Sequence, residues 1–200
     1  MHRAVIFDLD GTLYDKRFLP VRMLSSDLRH IWWMRAERLA RRELMGRDFG
    51  NAESFFAAFF AAVRKHIPSA PSEKKISEWY TETYMPLMAE RIRSGCKLYP
   101  WVRGRFAELR EQGIRTAVFS DYGFVAEKLS ALGFDASWAD LITDAPSMGG
   151  LKPSGASFLR VAEKLGVTPS ECLVVGDRED TDGAGARNAG MEFRLIRPRG

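Results

Sequence analysis

Residues 101–196 alternate short apolar runs with helical stretches, and that alternation leaves little freedom in the choice of fold. "IRTAVFSD", "DLITDA", "CLVVGD" and "EFRLI" have the length and composition of buried strands. The segments between them, "WVRGRFAELREQG", "VAEKLSALG", "GASFLRVAEKLG" and "DGAGARNAG", read as helices, each stopped by a glycine. Val102, Phe106 and Leu109 share one face of the first. Phe158, Leu159, Val161, Ala162 and Leu165 form the apolar stripe of the third. Val5, Ile6 and Phe7 add a further strand near the N-terminus. Strands of this kind separated by helices predict an α/β fold, a Rossmann-like three-layer core with a mainly parallel sheet covered on both faces.

Residues 16–94 interrupt the pattern, with no convincing strand. Val21, Leu24, Leu28, Ile31, Trp32 and Leu39 recur at helical spacing, as do Phe56, Phe59, Phe60, Val63 and Ile67. Ser72 is placed to cap a third stretch, in which Ile76, Trp79, Tyr80 and Thr83 share a side and Pro86 predicts a kink or break. The chain is therefore expected to divide into a discontinuous core, residues 1–15 and 95–200, and an inserted all-helical unit, residues 16–94. Charge is uneven between the two. The whole chain carries +4, whereas residues 16–47 hold nine Lys/Arg against three acids, a net of +6 that leaves −2 elsewhere. Glu37 and Arg41 form a favourable i, i+4 pair, so this basic stretch reads first as a solvated helix face.

The N-terminal strand runs into "DLDGT". Asp8 and Asp10 are two residues apart in an extended segment and so point the same way, toward the carboxyl edge where open α/β sheets place their ligand crevice. "CLVVGD" brings Asp177 to the same edge, with Asp180 and Asp182 just behind. Two such charges 4 Å apart repel by about 4 kcal/mol at an effective dielectric near 20. Either some are protonated or a cation sits among them, and a partly hydrated all-oxygen site suits Mg2+. Ser120 and Asp121 end another strand at a turn into a helix, an arrangement that can hold an anion. Lys152, in "GGLKPSG", can neutralise phosphate and carboxylate together.

In this order, DxDGT, an apolar run ending in Ser, Lys-Pro, then GD with a further Asp five residues on, the four segments resemble the motifs of the haloacid dehalogenase superfamily of phosphohydrolases. The resemblance spans the whole chain, and the insert matches the position of that family's C1-type helical cap. It implies that Asp8 is the nucleophile, forming an aspartyl-phosphate, and that Asp10 is the general acid and base, its carbonyl ligating Mg2+. It implies metal contacts from Asp8 and Asp177, with Asp182 a further ligand or the anchor of one, phosphate contacts from Gly11, Ser120 and the N–H of Asp121, and Lys152 pairing Asp8 with the phosphate. Two departures stand out: Asp121 occupies a position more often Asn, adding negative charge near the phosphate, and "KPSG" replaces the commoner "KPDP".

Asp10 argues against carbon–halogen hydrolysis, because the true dehalogenases of that family lack the second acid. The expected activity is Mg2+-dependent hydrolysis of small phosphomonoesters. Phosphomutases acting on sugar phosphates share these motifs and stand as the alternative, followed by a non-catalytic anion- or nucleic-acid-binding protein. The expected partner is a small phosphorylated metabolite, with nucleic acid disfavoured. Arg35, Arg38 and Arg42 share a helix face and are the candidates for a second anionic group on that substrate. No apolar run approaches the ~20 residues needed to cross a bilayer. The first strand leaves no room for a signal peptide, and Cys96 and Cys172 fit neither a disulfide framework nor a metal-site spacing; a cytoplasmic location is the expectation.

Overall fold

In the computed structural model, which describes residues 2–197, the first apolar run becomes the centre of the sheet. Residues 1 and 198–200, at the ends of the expected core segments, lie outside the described residues. The strands are β1 (Ala4–Phe7), β2 (Arg115–Ser120), β3 (Leu141–Asp144), β4 (Cys172–Gly176) and β5 (Glu192–Leu195), all parallel in the order β3-β2-β1-β4-β5. β1 pairs with residues 115–118 on one side and 172–175 on the other. All four of its side chains are buried, alternately in two apolar clusters: Val5 and Phe7 on one face, Ala4 and Ile6 on the other. The chain builds outward to β2 and β3, then returns to add β4 and β5 beyond β1. The direction reverses between β1 and β4, which is where such sheets open a crevice.

The first five of the helices between β1 and β2 are α1 (Leu19–Ser26), α2 (Ile31–Leu44), α3 (Ala52–Lys65), α4 (Glu73–Glu78) and α5 (Met85–Gly95). Side-chain caps start two of them: Asn51 accepts from the Ser54 N–H at 2.9 Å, and Ser72 from the Lys75 N–H at 3.3 Å. The apolar stripe expected on α1 and α2 faces the wrong way. Val21, Leu28 and Trp32 are exposed, as are Leu24 and Ile31, while Leu19, Met23, Met34, Ala36, Ala40 and Leu44 turn inward with Glu37 and Arg41. The inner face of α2 covers an ionic region of the core, so charged residues take places that periodicity alone gives to apolar ones.

No break occurs at Pro86. A π turn, Trp79–Tyr84, joins α4 to α5, with the Met85 N–H donating to the Tyr80 carbonyl. Pro86 falls in the first turn of α5, where an N–H is dispensable. The wider turn absorbs one extra residue and moves the buried side on by one position. Tyr84 is 4% exposed in the place expected of Thr83, which faces solvent.

The remaining helices are α6 (Trp101–Glu111), α7 (Val125–Ala131), α8 (Gly155–Leu165) and α9 (Ala184–Asn188). α6 buries Val102, Phe106 and Leu109 as its spacing predicts. α8 buries Phe158, Val161, Ala162 and Leu165 but leaves Leu159 exposed, about 100° around the helix from Phe158. The small residues of α9 have a steric reason: a Cβ on Gly185 would stand 2.3 Å from the Phe158 ring. Among the described residues no helix is long and apolar enough to cross a membrane.

The π turn gives a direct test. Tyr84→Ala should cost about 3 kcal/mol or more of folding stability, whereas Thr83→Ala should stay within about 0.5 kcal/mol. Denaturant titration of both variants measures the difference, and equal losses would contradict the phase assigned here.

Candidate active site

β1 and β4 deliver their acids side by side, as parallel neighbours in register must. The Asp8 N–H donates to the Val175 carbonyl at 2.9 Å, so the chain after Phe7 stays paired until Asp8. Gly11 then turns the chain at φ +98°, and a Cβ there would lie 2.3 Å from Asp177 Oδ2. Only glycine fits that approach, although its neighbours are a carboxylate and a lysine.

Asp8 is held from both sides. Its Oδ1 accepts from Lys152 Nζ and its Oδ2 from Thr12 Oγ1, each at 2.8 Å. Lys152 is 2% exposed and donates also to Asp182 Oδ1 and the Phe119 carbonyl, both at 2.8 Å. Burial alone would lower the lysine pKa, but the charges of Asp182 and Asp8 outweigh it and push it well up. Its three hydrogens are directed at protein acceptors, among them Asp8, the pairing expected of it. Burial pushes Asp8 above the usual carboxylate range, opposed by Lys152 and reinforced by the charges of Asp182 and Asp10.

Asp10 has its own partners. Oδ2 accepts from Ser120 Oγ at 2.6 Å and from Lys128 Nζ at 2.8 Å, and Oδ1 accepts from the Tyr14 hydroxyl at 2.5 Å. Burial would raise its pKa, but the adjacent Lys128 ammonium and these hydrogen bonds prevail and bring it down to about 2. Ser120, expected to face a phosphate, gives its hydroxyl to Asp10 and accepts from the Tyr122 N–H at 3.0 Å. Asp121 accepts the Lys152 N–H at 2.8 Å through its carboxylate, a bond the commoner Asn could equally accept. Asp180, whose role the sequence leaves open, is an exposed partner of Arg178.

Asp177 completes the group. Its Oδ2 meets Lys16 Nζ at 3.0 Å, and Lys16 also donates to the Asp10 carbonyl. Asp177 Oδ1 is buried with no hydrogen-bond partner among the described residues. One oxygen each from Asp8, Asp177 and Asp182 lies within 4.8 Å of the other two. An all-oxygen donor set of this kind, with one buried oxygen left unpartnered, fits a hard divalent cation. Asp10 lies outside this trio: its carboxylate is engaged by Ser120, Lys128 and Tyr14, and its carbonyl accepts from Lys16.

The insert reaches this site through Arg41. Its Nη1 donates to the Asp121 carbonyl at 2.8 Å and its Nη2 to the Tyr80 hydroxyl at 3.1 Å; its Nε pairs with Glu37, and its guanidinium lies 4.0 Å from the Tyr122 ring centre. The pair expected on a solvated face is thus buried. Arg38 and Arg42 line a cavity of about 440 Å3 that opens onto Asp10, Lys16, Asp121 and Lys152. Arg35 does not join them: it lies outside that lining, with its guanidinium over Trp32. The sequence reading missed Thr12, Tyr14, Lys16, Arg41 and Lys128. Lys128 was detectable, because Val125, Lys128, Leu129 and Leu132 make one helical stripe with a lysine where an apolar residue belongs.

The haloacid dehalogenase-like hydrolase family model matches residues 2–190. Ribulose-1,5-bisphosphate 5-phosphatase of Halopiger xanaduensis is 28% identical, the match covering 99% of this chain and 86% of that protein. Glyceraldehyde 3-phosphate phosphatase of Methanopyrus kandleri is also 28% identical, over 98% of this chain and 84% of that protein. Among solved structures, CbbY of Rhodobacter sphaeroides in complex with phosphate superposes with a TM-score of 0.72 at 22% identity, covering 100% of this chain and 88% of that one. A likeness at that identity speaks for the fold.

Two measurements test the electrostatics. Arg41→Met leaves Glu37, fully buried, without its cation, and should cost about 3–5 kcal/mol in denaturant unfolding. The double variant Glu37→Leu/Arg41→Met should recover most of that loss. Asp10, lowered to about 2, contributes stability that is present above the ordinary carboxylate pKa of about 4 and is lost as pH falls through 2. Lys128→Met should therefore flatten the stability–pH curve between pH 4 and 2 by about 2 kcal/mol. An unchanged curve would show that Lys128 does not hold Asp10 ionised.

Proposed function

The chain belongs to the haloacid dehalogenase-like hydrolases, and we propose that, as a phosphatase of that family, it cleaves small phosphomonoesters through an aspartyl-phosphate formed on Asp8. One observation carries the reading: the two acids that end β1 have separate sets of partners. Asp8 is gripped by Lys152 and Thr12, which fixes its direction of attack. Asp10 is gripped by Lys128, Ser120 and Tyr14, which keeps it next to the leaving group and apart from the nucleophile.

In this reading Asp8 attacks phosphorus and the ester oxygen departs with a proton from Asp10. Asp10 then takes a proton from the water that hydrolyses the aspartyl-phosphate, so each is regenerated. Resting Asp10 is a carboxylate, the state needed for the second step. An arriving phosphate dianion disfavours that ionised form, so Asp10 takes up from solvent the proton it donates in the first and releases one to solvent when phosphate leaves. Asp8, Asp177 and the Asp10 carbonyl would hold Mg2+, and Asp182 would anchor Lys152. Bound there, the cation neutralises the carboxylates and the phosphoryl oxygens together, which favours ionised Asp8.

The insert, residues 16–94, acts as a cap over the crevice, and Arg38 and Arg42 recognise a second anionic group on the substrate, being two guanidiniums on the cavity wall. The basic stretch is explained by that wall and by buried Arg41, which supports a small-molecule partner over nucleic acid.

A phosphate-release assay tests the chemistry. With Mg2+ the wild type should hydrolyse small phosphomonoesters, Asp8→Asn should lose roughly 10^3-fold or more in kcat, and EDTA should remove activity that Mg2+ restores. Hydrolysis unaffected by both treatments would rule out Asp8 as the nucleophile.

A further inference from the structure

The cavity over Asp10 has two walls of opposite chemistry. The core wall is ionic, with Lys16, Lys152 and Arg178 set among the acids. Apart from the arginines of α2, the insert wall is apolar: α1 supplies Leu19, Pro20 and Met23, α2 supplies Met34, and α5 supplies Met88, with Met45 beyond the end of α2. Neutral hydrogen-bonding side chains are scarce in this lining. They are Tyr84, Tyr122 and Thr181, and the described lining contains no Asn, Gln, Ser or His. Both tyrosine rings are already engaged, Tyr84 stacked 4.9 Å from Trp79 and Tyr122 beneath the Arg41 guanidinium.

A polyol entering this space would exchange water for thioethers. Each hydroxyl left unmet costs roughly tenfold in affinity or more. An apolar body incurs no such loss, and methionine side chains, flexible and polarisable, mould to flat or irregular apolar shapes. Cations accompany the apolar wall: Lys16 and Lys152 beside the acids, and Arg38 with Arg42 on α2. Among the described residues neither Arg38 nor Arg42 is paired with a carboxylate, in contrast to Arg41 between them. We infer that the substrate is a phosphomonoester with an apolar body, aryl or alkyl, bearing a second acid, rather than a phosphorylated sugar. This rests on the phosphatase reading above and narrows it.

Primary-alcohol esters keep the leaving group comparable, so specificity can be read without a change in chemistry. Benzyl phosphate, 4-carboxybenzyl phosphate, glucose 6-phosphate and methyl phosphate would be compared by kcat/KM with Mg2+. Benzyl phosphate should exceed glucose 6-phosphate by roughly 10- to 100-fold, and 4-carboxybenzyl phosphate should exceed benzyl phosphate. That second advantage should vanish in Arg38→Ala/Arg42→Ala. Met34→Gln, which puts an amide on the apolar wall, should shrink the benzyl-to-glucose ratio severalfold. Glucose 6-phosphate turned over as well as or better than benzyl phosphate would overturn the inference. If no ester, methyl phosphate included, is hydrolysed, the phosphatase reading is what fails. Calorimetric affinities of the Asp8→Asn protein for benzyl phosphate and glucose 6-phosphate would then decide the apolar body independently.

Discussion

Four carboxylates share one edge of a five-stranded sheet, and the architecture around them is arranged to make that tolerable. Asp8, Asp10, Asp177 and Asp182 are met by three lysines, each from a different connection. Lys16 leads into the insert, Lys128 lies on α7, and Lys152 sits in the loop before α8. Two of those ammoniums are essentially inaccessible to water. Removing a charge from water is expensive unless a partner is fixed in place, so each pair also fixes the loop that carries its lysine. Charge compensation and positioning of the reacting groups are therefore the same set of contacts.

The insert is attached by a second buried ionic link. Arg41 crosses from α2 to the carbonyl of Asp121 and takes Glu37 out of solvent with it. Two further contacts support the join: Arg160 on α8 pairs with Asp48 just beyond α2, and the Phe49 N–H donates to the Gly149 carbonyl. The loop after β2 thus feels the position of the insert directly, because the backbone of Asp121 answers to Arg41 while its carboxylate answers to Lys152. Any movement of the insert away from the core has to break or stretch a desolvated hydrogen bond at that loop.

The core was legible in the sequence where residues obey a single demand. The stripe of α6 and the buried runs of β2 and β4 serve burial alone, and periodicity locates them. The order of Asp8, Ser120, Lys152 and Asp177 was legible too, because chemistry restricts the residue types that can stand there. Reading failed where two demands compete for one position. On α2 the inward face must cover an ionic cavity, so Glu37 and Arg41 go in and Trp32 stays out. On α7 a buried place goes to Lys128 because Asp10 needs a cation. Thr83 was misplaced for a different reason, since a π turn changes the period itself and the fixed period assumed for the segment does not hold across it.

The central strand is the first strand to be made and the one that waits longest for its second neighbour. β1 leaves the ribosome ahead of the other strands, but its neighbours begin at residues 115 and 172, and the lysines that hold Asp8 and Asp10 follow at 152 and 128. At a synthesis rate of ~5–20 residues per second, the strand waits roughly 10 to 30 seconds for its second neighbour. During that interval the helices between β1 and β2 can form from local contacts, whereas the sheet cannot. Translation thus delivers the cover before the floor, and any nascent chain stopped short of β4 carries its acidic pair on an apolar strand with one side open.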